Sequence, residues 1–379
     1  MSDEELEDMG EEEEEDDEEA AKEQEEEEKV EDEEAAKKEE EVEDEELEAG
    51  EPGVGQEAAE VEEQRALTLE EAKDGLANLG RAASGLQHAY LLAKVSDLRL
   101  TDVSALQVFR HLLFVDVSGN LLRDDAFQVL AKMAQLLSIQ AAGNRLTSPY
   151  LPPMGLLQVL AVSDNPLTSA AGVEHPLLEC LELSRCGLQE LSGLEADSLP
   201  RLRTLELRGN SLASVSGLRL EALEGLYLAA NSIARLEGLE ALPSLQVLHL
   251  RDNPLTSLDG LPASLAALRY LNVRGCRLAA ARETRKLAAL PALQVLVVAG
   301  NPFAGGEEEE EEEDYRLEVL AFLPRLRRLD KVAVDEEELE QARELRAELE
   351  EADQEEADQE AESQADDVGD GDDDGDESP

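Results

Sequence analysis

Three stretches, LRTLELRGN (202–210), LEGLYLAAN (223–231) and LQVLHLRDN (245–253), share the pattern L-x-x-L-x-L-x-x-N. The pattern extends to LLFVDVSGN ending at Asn120, LLSIQAAGN at Asn144, LQVLAVSDN at Asn165 and LQVLVVAGN at Asn301. LECLELSRC and LRYLNVRGC fit it with Cys186 and Cys276 in the asparagine column. The ninth positions recur every 21 to 25 residues from 120 to 301. A unit this short cannot bury its apolar side alone, so neighbouring units must stack into a solenoid with end caps.

Alternation within each stretch turns the Leu and Val of positions four and six inward and positions three, five and seven onto an open face. The ninth-position amide is expected to turn inward and satisfy backbone groups where the strand ends. A small thiol is tolerated there, which reads Cys186 and Cys276 as structural. Cys180, on the open side of its strand, is the one thiol expected to be reachable. Segments between strands, such as SIARLEGLEALPSL (232–245), are too short for full helices. They predict 3₁₀ turns and brief helical pieces on the convex side. This is the 22-residue type of leucine-rich repeat, with nine repeats and a tenth, partial candidate at VSDLRLTDVSAL (95–106). The expected fold is an α/β leucine-rich repeat solenoid with a curved parallel sheet and helical caps at both ends.

Charge divides the rest of the chain. Of a net charge of −59, residues 1–50 carry 31 acids and 4 lysines, residues 335–379 carry 23 acids and 2 arginines, and Glu307–Asp314 adds eight acids. The remaining body is close to neutral. Six large aliphatic or Met residues in positions 1–50 bury at most roughly 1.5–3 kcal/mol each. Ordering a backbone costs about 1–2 kcal/mol per residue, so the arms are expected to be disordered. The expected organisation is an acidic arm over 1–66, a helical cap over 67–94 and the solenoid over 95–306. An acidic loop and C-terminal cap follow over 307–334, then an acidic, partly helical tail over 335–379.

In the first cap, Thr68 and Glu71 form a capping-box pair, and Leu69, Leu76, Leu79 and Leu86 are expected to face the first repeat. In the second, Tyr315, Leu317, Leu320, Phe322, Leu323, Leu326 and Leu329 provide the covering surface. The glutamates Glu307–Glu313 read as an insertion in a surface loop, with Asp314 as N-cap of the helix that follows. In DEEELEQARELRAELEEA (335–352), Leu339, Ala342, Leu345 and Leu349 recur at helical spacing. That seam suits a single charged helix or a partner helix and is short for a coiled coil.

Chemistry-bearing motifs are sparse. DGDDDGDE (370–377) has the order of a calcium-loop start but no position-twelve Glu, and reads as a solvated tail. The Gly53-Val-Gly55-Gln-Glu-Ala58 segment follows no strand and reads as a linker. His88, His111, His175 and His249 are dispersed, and no nucleophile motif such as G-x-S-x-G occurs. No enzyme, cofactor, metal or small-molecule substrate is expected. With no secretory signal, no apolar run of ~18 residues and few cysteines, an intracellular location is expected, with neither membrane nor direct nucleic acid as partner. Basic proteins suit the arms. The open face offers Glu206, Arg208, Tyr227, His249, Arg251, Asn272 and Arg274 at positions five and seven, with Tyr270 at position three. Aromatics and arginines of this kind anchor protein interfaces. Ser118, Ala142, Ser163 and Ala161 make the earlier repeats featureless, so a partner is expected on the C-terminal half.

The segments LTLEEAKDGLANLGRAASGLQHAY, LYLAANSIARLEGLE, LHLRDN, RYLNVRG and the YR…LPRLRRLDK cap occur in this order over about residues 67–334. Together they resemble the leucine-rich repeat-containing protein 23 family, ciliary and flagellar proteins of the axonemal radial spoke. The resemblance implies a non-enzymatic structural component of the radial spoke head, supporting motility of sperm flagella and motile cilia. It also implies protein partners among spoke-head components and a cytoskeletal, axonemal place in the cytoplasm. A second reading is an acidic leucine-rich nuclear protein acting as histone chaperone or phosphatase regulator, which combines similar repeats with an acidic tail. A third is a phosphatase-binding scaffold using the concave face.

Overall fold

The computed structural model describes residues 64–81, 88–194, 196–305, 309–349 and 351. The expected disorder of the arms, Leu86, the Gly53–Ala58 segment and the 370–377 motif lie outside them. The described residues form an open sheet of 13 strands in strict chain order. Strand β1 (Leu76–Arg81) pairs antiparallel with β2 (His88–Lys94). The nine repeats supply β3 (Phe114–Asp116), β4 (Ser138–Gln140), β5 (Val159–Ala161), β6 (Cys180–Glu182), β7 (Thr204–Glu206), β8 (Gly225–Tyr227), β9 (Val247–His249), β10 (Tyr270–Asn272) and β11 (Val295–Val297). Strands β12 (Arg328–Leu329) and β13 (Val332–Ala333) close the C-terminal edge. Pairing is parallel from β2 to β12, and each repeat contributes its positions three, four and five.

Leucines and valines of positions one, four and six line one continuous core; Leu202, Leu205 and Leu207 are fully buried, as are Leu245 and Leu248. Among the described residues the convex side is built as expected from 3₁₀ turns, including Ser104–Val108, Leu239–Ala241 and Ala281–Ala289, and one short helix, α2 (Asp124–Gln128).

The asparagine column is a ladder of side-chain bonds between repeats. Asn210 Oδ1 accepts from the amides of Cys186 and Leu188 at 3.1 and 3.0 Å. Its Nδ2 donates to the carbonyls of Leu183 and Leu207 at 2.8 and 2.9 Å. Asn144, Asn165, Asn231 and Asn253 repeat the arrangement. Buried backbone polar groups must find partners, and here one side chain per repeat serves several. Cys186 and Cys276 are buried, and each thiol donates to a carbonyl of the preceding repeat at 3.4 Å.

A sulfur accepts more weakly than an amide oxygen, and the backbone before each cysteine differs to match. Each cysteine follows a repeat that ends in Asn-Pro. After Pro166 the Leu167 amide bonds its own Asn165 carbonyl at 2.7 Å, and after Pro254 the Leu255 amide bonds Asn253 at 2.8 Å. In ordinary repeats that same amide goes to the next asparagine side chain, as Leu212 does to Asn231. Asn301-Pro302 is a third Asn-Pro, but there the Asn301 carbonyl accepts from the Ala304 amide at 2.9 Å and the following strand turns back as the β12–β13 hairpin.

The caps depart from expectation at both ends of the solenoid. The Thr68–Glu71 capping box forms, with Glu71 N donating to Thr68 Oγ1 at 3.2 Å and Thr68 N to Glu71 Oε2 at 3.0 Å. The helix it starts, α1 (Leu69–Asp74), stops after six residues, and the rest of the cap is the β1–β2 hairpin. A Cβ on Gly75 would meet the Lys94 carbonyl at 2.3 Å, so the chain hugs β2 there. Pairing with β2 overrides the helical reading. Leu69 and Leu79 are 47% and 65% exposed, and Ala72 and Leu67 are buried in their stead. Because β2 pairs parallel with β3, the solenoid begins at His88 and not at residue 95. The tenth repeat is real, with its strand just upstream of the segment that suggested it.

At the other end Glu309–Glu313 are not a loop. Helix α3 runs Glu309–Phe322, which places Asp314 inside it and not at its N-cap. Glutamate is a good helix former and negative charge suits the first turns of a helix, so the acidic run extends the cap helix. Leu320, Leu323, Leu326 and Leu329 are buried as expected. The tail seam also turns onto the protein itself. In helix α4 (336–349) Ala342 is buried and Leu339, Leu345 and Leu349 are half-buried. Asp335 and Glu338 form a second capping box, and Arg316 of α3 bonds Glu338.

Candidate protein-interaction surface

Parallel register brings the fifth-position side chains of neighbouring repeats side by side: Glu182, Glu206, Tyr227, His249 and Asn272. Tyr227, His249 and Tyr270 stack, with centroids 4.7 and 4.9 Å apart. Gly225 makes room for this, since a Cβ there would come within 3.1 Å of the Tyr227 ring. The Arg208 guanidinium lies over Tyr227 at 5.7 Å, a cation–π contact. Arg251 pairs with Asp252 at 2.8 Å, and Asn272 Oδ1 accepts from the Arg274 amide at 3.0 Å.

All eight sequence-selected residues therefore fall on one face, but in two layers. His249, Asn272 and Tyr270 are buried at 7%, 4% and 3% exposure. Glu206, Arg208, Tyr227, Arg251 and Arg274 are half-buried above them. Sheet curvature presses large side chains of adjacent strands together, so the aromatics contact each other before they contact a partner. Burial, reinforced by Arg208, lowers the His249 pKa to about 3, and the imidazole stays neutral. The stack is a rigid platform, and the outer layer is polar with planar arginine donors suited to carboxylates.

The middle of the face has different electrostatics. Cys180 is half-buried, its Sγ 3.8 Å from Glu182 Oε1. Burial, with Glu182 and Glu206 nearby, pushes its thiol up to about 12, so the one partly reachable thiol is a poor nucleophile. Burial also raises the Glu182 carboxyl. His175 is fully buried away from this face, accepts from the Met154 amide at 3.1 Å through Nδ1, and has its pKa lowered to about 4 by burial. Among the described residues no three His, Cys, Asp or Glu side chains are grouped to hold a metal ion, and no helix is long and apolar enough to cross a membrane. A cavity of about 150 Å³ under the C-terminal cap is lined mainly by Leu287, Leu290, Leu293, Phe322 and Leu326. It brings no titratable cluster together.

The N-terminal repeats are not featureless. Leu79, Tyr90 and Phe114 are exposed on the same sheet face as the stack, at its other end. Sequence reading missed them because both faces of HAYLLAK are apolar, so alternation alone does not say which face is covered.

A family model described as leucine-rich repeat matches residues 196–355. Leucine-rich repeat-containing protein 23 of Homo sapiens is 40% identical over 285 residues, 75% of this chain and 81% of that protein. Cilia- and flagella-associated protein 410 of Homo sapiens is 39% identical over 104 residues, 27% of this chain and 38% of that protein. Dynein axonemal light chain 1 of Chlamydomonas reinhardtii is 46% identical over 61 residues, 16% of this chain and 31% of that protein. Identity at that level over most of both chains means that this protein belongs to the leucine-rich repeat-containing protein 23 family.

Proposed function

We propose that the chain is a non-enzymatic structural component of the axonemal radial spoke, in its head region, supporting motility of sperm flagella and motile cilia through protein–protein contacts. The observation that carries the reading is family membership across three quarters of the chain. Shorter matches to a cilia- and flagella-associated protein and to an axonemal dynein light chain point to the same organelle. The solenoid supplies the means, since a stack of repeats presents a long, stiff face on which a partner can dock without any moving part. On this reading spoke-head proteins are the partners, and the arginine layer over the Tyr227–His249–Tyr270 stack is one contact. Arg251 and Arg274 lie in the half-buried outer layer and not in the core beneath it. Arg251→Glu combined with Arg274→Glu therefore removes the docking chemistry and leaves the fold.

The test is tagged protein in multiciliated cells. Expected is signal along axonemes that resists detergent, weakened by the double charge reversal at unchanged thermal stability. Diffuse nuclear signal with histone co-purification would overturn the radial-spoke reading in favour of a histone chaperone. Unchanged incorporation of the double variant would overturn the assignment of the contact.

A further inference from the structure

We propose that the N-terminal end of the concave sheet is a second docking surface, built for an acid-flanked apolar segment of another protein. Antiparallel partners share a sheet face, so the pairs Ala77–Leu92, Leu79–Tyr90 and Arg81–His88 point the same way. Parallel pairing of Leu92 with Phe114 continues the row into β3. Ala77, Leu79, Tyr90, Leu92 and Phe114 thus form one apolar surface across three strands. Leu79 is 65% exposed, Tyr90 48% and Phe114 37%, whereas Tyr270 on the same face near the other end is 3% exposed. Single exposed leucines are ordinary; three large exposed side chains on neighbouring strands mark an interaction site.

The rim chooses the occupant. Arg81 and His88 stand opposite each other on this face, and Lys94 follows two residues beyond Leu92. Lys94 is 67% exposed, and its nearest carboxylate, Asp116, lies 4.0 Å away and is mostly covered. This is a basic border in a chain of net charge −59. Long-range repulsion from the acidic arms is screened beyond ~8 Å at physiological ionic strength, so the local rim decides which flanking charges are accepted. Two alternatives fit less well. A flat bilayer cannot follow the inside of a curved sheet. Addition of a strand to the edge of β1 is blunted by Asn78, whose φ of +55° turns the backbone out of strand geometry.

The test uses the full chain and two fluorescein-labelled peptides with one apolar core, EEELAALLEEE and QQQLAALLQQQ, in fluorescence anisotropy. The acid-flanked peptide is expected to bind at least tenfold more tightly than the glutamine-flanked one. Leu79→Glu with Tyr90→Glu should abolish binding of both at unchanged melting temperature, because neither side chain is in the core. Arg81→Glu with Lys94→Glu should leave binding of the glutamine-flanked peptide and remove the preference for acid. Equal binding of the two peptides, or wild-type binding by the Leu79/Tyr90 variant, would overturn the proposal. So would binding of phosphatidylserine vesicles that this variant loses, which would make the surface a lipid site. A dimer in sedimentation that the variant abolishes would assign it to a second copy of the chain and overturn it equally.

Discussion

The pairing of Asn-Pro with a downstream cysteine is a coupling that a double-mutant cycle can measure. In Cys186→Asn, the new Nδ2 has the Val162 carbonyl in reach, since the thiol already donates to it at 3.4 Å. The new Oδ1 would meet the Asn165 amide, as Asn210 Oδ1 meets that of Cys186 at 3.1 Å, but not the Leu167 amide, whose hydrogen is committed to the Asn165 carbonyl at 2.7 Å. Each bond contributes about 0.5–1.5 kcal/mol, and the bonds gained replace those that the thiol already makes. The single variant should therefore be near neutral. Pro166→Ser alone loosens the turn without supplying an acceptor for Leu167, and should destabilise by about 1 kcal/mol. Together the two changes recreate the arrangement at Asn210-Ser211-Leu212. There the Leu212 amide reaches Asn231 Oδ1 at 3.0 Å and the Ser211 amide reaches the Leu188 carbonyl at 2.9 Å. The pair should exceed the sum of the singles by about 1 kcal/mol, the worth of the one further bond to the Leu167 amide. Urea unfolding of the four proteins, followed by circular dichroism and compared at a common slope, reads the coupling. Additivity within about 0.5 kcal/mol would refute the reasoning, and the same cycle at Pro254 and Cys276 is an independent repeat.

Ala230 holds the left-handed conformation at φ +52°, in the eighth position where Gly119, Gly143, Gly209, Gly275 and Gly300 also have positive φ. Ala230→Gly should stabilise by about 1 kcal/mol, because an L side chain costs roughly 1–2 kcal/mol there and glycine returns part of that as unfolded-chain entropy; a fall in melting temperature would contradict it. His175 has its pKa lowered to about 4 in the fold, so as pH falls below 6.5 the unfolded chain takes up its proton first. Its stabilising contribution is complete above pH 6.5 and is lost towards pH 4, and His175→Gln should show a flatter decline of melting temperature over that window. The thiols of Cys180, Cys186 and Cys276 are raised to about 12, 11 and 11 by burial. Ellman's reagent at pH 8 should label none of them rapidly in the native protein and all three in urea; fast labelling of Cys180 would show its strand opening.

The solenoid, its register and the asparagine ladder were legible because each repeat states them locally. Leu205, Leu207 and Asn210 lie within six residues, and side-chain alternation in a strand says which way each points. In the C-terminal cap the covering leucines Leu320, Leu323, Leu326 and Leu329 were legible, but not the helix that the glutamates join. The Asn-Pro signal was also present in the chain, at 165–166 and 253–254, but its meaning depends on an amide bond visible only once Leu167 and Leu255 are placed. The candidate face was legible as a column and not as a layer: that Tyr270 is covered and Tyr227 half-covered follows from how closely neighbouring strands press their side chains together.

What the sequence alone determined about this protein is therefore its one-dimensional order: how many units stack, which residues face in, and where the neutral body gives way to acid. What only the tertiary structure decided lies at the ends and across strands. Leu76–Arg81 leaves its helical reading because β2 offers a pairing partner, and Glu309–Glu313 becomes helix because a cap helix is there to be extended. Leu79, Tyr90 and Phe114 become one surface only when three strands lie side by side. Repeats encode their contacts with the next repeat within some two dozen residues, whereas ends have a neighbour on one side only, and their conformation is settled by whichever non-local contact completes the missing half.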